Sequence, residues 1–451
     1  MSDVVEEIGD WLTDNWDPDL SVAEWWERLG LAGWAAPTYP VEAYGKGLSR
    51  GDAVLVGNAI AQHGALSAPG GLGLLLAGPT IATHGTAEQI ERYVRDIVTG
   101  QRAWCQLFSE PGAGSDLAGL QAKAERDGEE WIVNGQKVWT SGGHVADFGM
   151  LIARTDSDLP KHQGITYFGI DMHQPGIDIR PLREMTGRAL FNEVFLTDAV
   201  VNDDAMIGGK NNGWAVANTT LMFERAGLGA GGGSQSTSVA TPGTVAGDLD
   251  KRAGDFVTAP AKTQTATKTA TKTTTKTTTK PAEKKPAAGS AALSGLAGRL
   301  RQLAAANGTI DDATIRDDLM RLHSMTEIGR INNLRVKGAR AMGRDIPGMP
   351  NISKLSMSTL VRLQRDLSLR IVGANGMLHA YEPGQRAAIT EATGNPFLGM
   401  ITELALFAQA PPIYGGTDQV QRNIIGERVL GLPKEPNNDR VTPFAELPKN
   451  A

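Results

Sequence analysis

The chain has one cysteine, Cys105, in 451 residues. A lone cysteine excludes an intramolecular disulfide and any cysteine-cluster metal site, and nothing in the usage points to an oxidising compartment. None of the seven histidines falls at metal-ligand spacing, so no metal is expected. Charge of one sign is not in large excess: a net charge of −6 gives no general reason to expect nucleic-acid binding. The N-terminus, MSDVVEEIGDWL, lacks the basic region and apolar run of a signal peptide. Residues 65–82 are apolar but carry Pro69, Pro79 and several glycines, which suits a buried segment better than a membrane span. A cytoplasmic protein without membrane association is the expectation. Gly-x-Ser-x-Gly elbows and Walker loops are also missing, which removes the common hydrolase and NTPase readings.

What is present is an ordinary globular balance, 41% hydrophobic and 21% charged, in a chain long enough for two or three domains. Residues 1–100 read as an α-helical domain. Leu20, Trp25, Trp26 and Leu29 recur near helical spacing after Ser21, with Glu24 three residues on as a capping box. Further helices are expected over 49–63, starting at Ser49, and over 86–98, where Thr86 and Gln89 form a second box. The tryptophans are expected in the core or as interface anchors. From 101 to about 210 the pattern changes to short strands punctuated by glycine and aspartate, as in a small β-barrel or sandwich. Within it, EWIVNGQKVWTS (130–141) reads as a hairpin turning at Asn134-Gly135, the dipeptide suited to a type I′ turn.

Helical periodicity returns at Gly213–Arg225 and, in an α-bundle over 211–440, at about 291–306, 310–343, 353–378 and 384–408. On the second of these four helices Ile315, Leu319, Leu322, Met325 or Thr326 and Ile328 share one face. A Lys/Thr-rich tract at about 259–290 interrupts the bundle, too poor in apolar side chains to offset its ordering entropy. GLGAGG at 227–232 satisfies a dinucleotide-loop pattern, but helix precedes it and no apolar helix follows, so a Rossmann unit is not expected.

The stretch from Trp104 to Gly142 organises the chain. Pro111, Gly112 and Gly114 force a turn whose backbone can face a ligand, Ser109 and Ser115 flank it, and Trp139, Thr140 and Ser141 close the following segment. SEPGAGSD followed by NGQKVWTSGG resembles the first signature of the acyl-CoA dehydrogenase family, and IYGGTDQVQRNIIGERVLGLP (413–433) resembles its C-terminal signature. The resemblance spans most of the chain. It implies the family's fold, α domain then β-barrel then α-bundle, and bound FAD. Flavin contacts carried over by motif position are Gln106, Phe108, Ser109, Gly114, Ser115, Trp139, Thr140 and Ser141. Val372, Gly373 and Gly376 of IVGANG, with Thr417 and Gln419, would contribute across a subunit interface. Substrate contacts are implied for Ser115, Arg225 and Gly416.

Oxidising an acyl thioester between its α and β carbons requires a base for the α-proton, a hydride acceptor and polarisation of the carbonyl. Most of the family places the base as a glutamate directly after a tyrosine in the C-terminal signature, where this chain has Gly415 after Tyr414. A minority, including isovaleryl- and long-chain-type enzymes, uses the glutamate of a Glu-Arg pair on a bundle helix, and Glu224-Arg225 stands in that place. Glu224 is therefore implied as the base, with the Gly415 N–H and a ribityl hydroxyl polarising the carbonyl. The family's Arg-x-x-Phe-Gly segment is missing downstream, where the Lys/Thr-rich tract stands, which fits members built as unlike-subunit tetramers. The implied partners are an acyl-CoA substrate, electron-transfer flavoprotein as acceptor, and further chains in a homotetramer or heterotetramer. A non-catalytic subunit and an acyl-CoA oxidase are the alternative functions on this fold.

Overall fold

The computed structural model describes residues 3–229, 240–257 and 298–448, excepting the side chains of 226–229 and 340–341. The Lys/Thr-rich tract and the first part of the helix expected at 291–306 lie outside the described residues. Two helical regions flank a central sheet, the arrangement expected.

Both expected capping boxes form in the N-terminal region. Ser21 and Glu24 exchange side-chain and backbone hydrogen bonds at the start of Val22–Leu31, and Thr86 and Gln89 do the same before Ala87–Val98. Ser49 accepts from the Asp52 N–H ahead of Arg50–His63. Trp25 and Trp26 are fully buried, and each indole donates to the chain at Leu66 and Ser67, so the tryptophans are core. The apolar run after Pro69 enters the helical turns Gly73–His84, and Gly73, Leu76, Ala77 and Ile81 are buried there.

The sheet comprises β1 (Trp104–Leu107), β2 (Lys123–Asp127), β3 (Glu130–Ser141), β4 (Phe148–Arg154), β5 (Ile165–Asp171), β6 (Ile177–Leu182), β7 (Phe191–Asn202) and β8 (Met206–Ile207). Its hydrogen-bonded order is β6-β7-β3-β2-β4-β5-β8, with β1 also on β4. β1 and β2 both run parallel to β4, at 148–151 and at 154, so they occupy successive lengths of that strand. The loop 108–122 is therefore suspended between two strands fixed to one neighbour.

The hairpin expected at Asn134-Gly135 is absent. β3 is continuous through that dipeptide and pairs with β7, and the true hairpin turn is Gly128-Glu129, joining β2 to β3. At Gly135 the register shifts and φ is 154°; a Cβ there would lie 2.5 Å from that of Ala122. Asn134 is exposed and bonds Asp198 of β7 through both amide atoms at 2.9 Å; the extra residue lies on β7, where Leu196 to Ala199 stands opposite Gly135 to Val133 and Asp198 has φ 53°, so the dipeptide is locked opposite a bulge of its neighbour.

In the C-terminal region Ala313–Ala341 packs against Met349–Val372, burying Ile315 and Leu322. Ile328, expected on that buried face, is exposed, because helix phase carries it past the contact. The helix expected over 384–408 is two helices, Pro383–Thr393 and Leu398–Phe407, since Gly394 adopts φ 63° and Pro396 follows. Residues 240–257, assigned to the bundle by sequence, instead dock on the N-terminal helices. Val22 and Ala23 donate to Lys251 and Leu249, and Ala253 and Gly254 donate to Leu20 and Pro18. Buried Asp147 ties this segment to the sheet, accepting from the backbone N–H of Thr244 and of Ala103.

Candidate active site

The helix Gly213–Gly229 lies against β5 and the turn Gly73–Ala77. Its contacts are set by an apolar face and by a buried hydroxyl chain: Thr220 bonds Thr80 at 3.0 Å and Tyr167 of β5 at 3.4 Å. Tyr167 in turn meets Phe108 edge-to-face at 5.9 Å. One turn beyond Thr220 the helix presents Glu224, half-buried, whose carboxylate accepts from the side chain of Gln106 on β1. Burial pushes the Glu224 carboxyl above its ordinary value, and the Gln106 bond and the neighbouring Arg225 pull back only part of that rise. The structure thus joins two residues 118 positions apart in the chain that were assigned separately, one to the flavin and one to the base.

Phe108 and Ser109 follow Gln106 just beyond β1, and a bond from Ser109 ties this stretch to β3 beside Trp139 and Thr140. Ser109 O accepts from the Val138 N–H at 2.9 Å, which fixes the loop onto β3 one residue before Trp139. Trp139 occupies a bulge of β3 itself, between Lys137 and Thr140, with φ 62° and 59% of its surface exposed. A left-handed tryptophan is a strained conformer that surrounding structure must enforce, and here it turns a large flat ring outward. Phe191 supports the ring edge-on at 5.8 Å. Thr140 is fully buried. Its carbonyl accepts from Asn192 at 3.0 Å, and its hydroxyl has no hydrogen-bond partner among the described residues. An exposed aromatic face next to an unpaired buried hydroxyl suits a flat heteroaromatic ligand with a hydrogen-bonding edge, so these residues fit an isoalloxazine.

Gly114 and Ser115 are exposed on the same loop, and Ser141 is exposed at the end of β3. The remaining sequence-assigned residues stand on the C-terminal region. Gly415 and Gly416 are both left-handed, at φ 63° and 81°, and Gln421 holds their carbonyls at 3.0 and 3.3 Å. Thr417 caps the helix Asp418–Ile424 by accepting from Val420 N–H, so its hydroxyl has a structural partner. Val372, Gly373 and Gly376 form the exposed or half-exposed turn after Met349–Val372, and Gln419 and Arg225 are exposed.

Sequence reading missed the ion pair that roots the loop. Glu110 is buried and accepts from Gln121 N–H at 2.7 Å and Ala122 N–H at 3.0 Å, clasping both ends of the loop. Its charge partner is Lys137 on β3, fully buried, at 2.8 Å; Lys137 also donates to Phe108 O at 3.1 Å. Burial draws the Lys137 ammonium below its usual range, against the pull of Glu110. The signal was available, since strand alternation puts a lysine at 137 in phase with Trp131 and Val133, which face inward. Among the described residues no group of three or more His, Cys, Asp or Glu could hold a metal, and no helix is long and apolar enough to cross a membrane.

The chain belongs to the acyl-CoA dehydrogenase family, whose members are oxidoreductases. Residues 3–101 match the family's N-terminal domain, 105–199 its middle domain and 287–430 its C-terminal domain. The chain is 33% identical over 414 residues to acyl-CoA dehydrogenase IpdE1 of Mycobacterium tuberculosis, covering 91% of this chain and 88% of that one. It is 51% identical over 203 residues to acyl-CoA dehydrogenase FadE34 of the same organism, a match covering 45% of this chain and 28% of that longer protein. Among solved structures, the Tcur3481-Tcur3483 steroid ACAD superposes with a TM-score of 0.64 at 22% identity, covering 96% of this chain and 98% of that one, a likeness of fold.

Proposed function

We propose that the protein catalyses FAD-dependent α,β-dehydrogenation of a lipid acyl-CoA thioester to the trans-2-enoyl-CoA. The observation that carries this reading is Glu224: a half-buried carboxylate with a raised pKa, in contact with Gln106 of the flavin-signature strand β1. In the ionised form Glu224 removes the α-proton, and its raised pKa brings its basicity closer to that demanding task. Gln106 orients the carboxylate through its amide N–H. Arg225 neutralises charge at the entrance. The N–H of Gly415 donates to the thioester carbonyl and stabilises negative charge developing there as the proton leaves. Trp139 and Thr140 would hold FAD, which when bound would supply the hydride acceptor for the β-carbon. Trp139 offers the stacking face, Thr140 the free hydroxyl, and the turn Gly114–Ser115 backbone and side-chain donors for phosphate.

Val372, Gly373, Gly376 and Gln419 serve the flavin of a neighbouring chain, in a homotetramer or a heterotetramer with a related subunit. Their exposed placement supports that reading. Electron-transfer flavoprotein is the proposed acceptor and the cytoplasm the proposed compartment. Purification of the chain, alone and with related subunits, tests the assignment. A yellow protein with non-covalent FAD, bleached anaerobically by an acyl-CoA from a straight-chain, branched or steroid side-chain panel, is expected. A colourless protein in every combination contradicts it.

A further inference from the structure

Arg154 ends β4 beneath the loop 110–121 and is buried. Its Nη2 donates to Ala118 O at 2.6 Å and Leu120 O at 3.3 Å, and its Nη1 donates to Lys161 O at 2.6 Å. The Ala118 and Leu120 carbonyls carry the C-terminal half of the loop whose other half Glu110 and Lys137 root. Lys161 reaches the same loop from outside, pairing with Asp116 at 3.0 Å. Two buried or half-buried cations therefore hold one loop, and the chemistry proposed above uses neither.

Both cations are contacted from the far end of the chain. Phe444 lays its ring over the Arg154 guanidinium, 3.7 Å from the centroid, and Asp439 pairs with Lys161. The segment carrying them is fixed by main-chain bonds to the β4–β5 connection, Phe444 N–H to Leu159 O and Ala445 N–H to Ser157 O, both 2.9 Å. A buried guanidinium keeps its bonds to carbonyls only while water is excluded from its face, and an aromatic ring both excludes water and attracts the cation. Burial draws the Arg154 guanidinium down to about 10, against the carboxylates of Glu110, Asp116 and Asp156.

We propose that the C-terminal segment Asp439–Phe444 is a positioning strap for the loop 110–121, acting through Arg154 and Lys161. Phe444 and Asp439 are positioning residues: they touch no part of the proposed flavin or substrate site and act on it by ordering the loop. The effect on FAD rests on the reading of that loop given above; the effect on loop order does not.

Amide hydrogen exchange of the full chain without added flavin tests the strap directly. Phe444→Ala should accelerate exchange in peptides covering 111–121 by about tenfold, the scale of losing a desolvated cation–π contact, and leave the β3–β7 ladder unchanged. Phe444→Tyr, which keeps a ring over the guanidinium, should exchange like the wild type. Asp439→Asn, at a half-exposed position that does not threaten folding, should accelerate the same peptides to a smaller extent. Wild-type exchange over 111–121 in both Phe444→Ala and Asp439→Asn overturns the strap, as does acceleration spread equally over the whole sheet. FAD titration of the same variants separates the two readings: a loosened loop with unchanged FAD affinity upholds the strap and contradicts the assignment of the loop to the flavin.

Discussion

Trp139 joins local strain to a proposed ligand role, and the two make opposite predictions at one residue. Its left-handed conformation costs about 1 kcal/mol or more in a non-glycine residue. Trp139→Gly should therefore raise the melting temperature of the flavin-free chain slightly while weakening FAD binding, by roughly 1 kcal/mol for the lost stacking alone. Equal FAD affinity in calorimetric titration would show that the ring serves the fold. Glu224 behaves similarly. A carboxyl with a folded pKa above its unfolded one binds protons more tightly in the native state, so its contribution to stability falls as pH rises through that interval. Glu224→Gln should match the wild type in acid and exceed it in denaturant midpoint above the carboxylate range. Lys137→Met removes one partner of a buried pair and leaves Glu110 uncompensated, which should destabilise by about 3–5 kcal/mol in urea unfolding. A loss below about 1 kcal/mol would mean that Glu110 is satisfied by the loop amides alone.

Elements were legible in the sequence where a local signal acts alone. Ser21-Glu24 and Thr86-Gln89 specify helix starts by bonds within four residues, and the structure contains both boxes. Asn134-Gly135 suits a two-residue turn, but the same dipeptide also fits within a strand opposite a bulge, and β7 decides between them. Its Asp198 takes both atoms of the Asn134 amide, and Ala122 fills the space that a side chain at 135 would need. Gly135→Ala should accordingly unfold at lower temperature by more than Gly128→Ala, whose φ of 63° carries only the left-handed penalty and whose Cβ would meet open space. The docking of 240–257 on the first helices, and of Phe444 on Arg154, could not be read from sequence. Both depend on pairings between residues far apart in the chain, and the tail pattern TPFAEL carries no periodicity that points to a partner.

For the whole molecule, the motif resemblance supplied the family and the site list, while the joining of Glu224 to Gln106 came from packing. Met320, Ile328, Ile331 and Leu334 form an exposed stripe on Ala313–Ala341, each more than half accessible, on the side away from buried Ile315 and Leu322. Such stripes mark protein contacts, so Ile331→Lys should reduce the mass of the assembly in light scattering; an unchanged mass would place the contact elsewhere. The role proposed for Glu224 is to take the α-proton. The direct measurement is stopped-flow loss of oxidised-flavin absorbance in Glu224→Gln, under anaerobic conditions, with whichever acyl-CoA bleaches the wild type fastest. Retained FAD and a rate of bleaching lower by roughly two to four orders of magnitude, the usual contribution of a positioned base, are expected. Bleaching at the wild-type rate would contradict that role and assign the base to another residue.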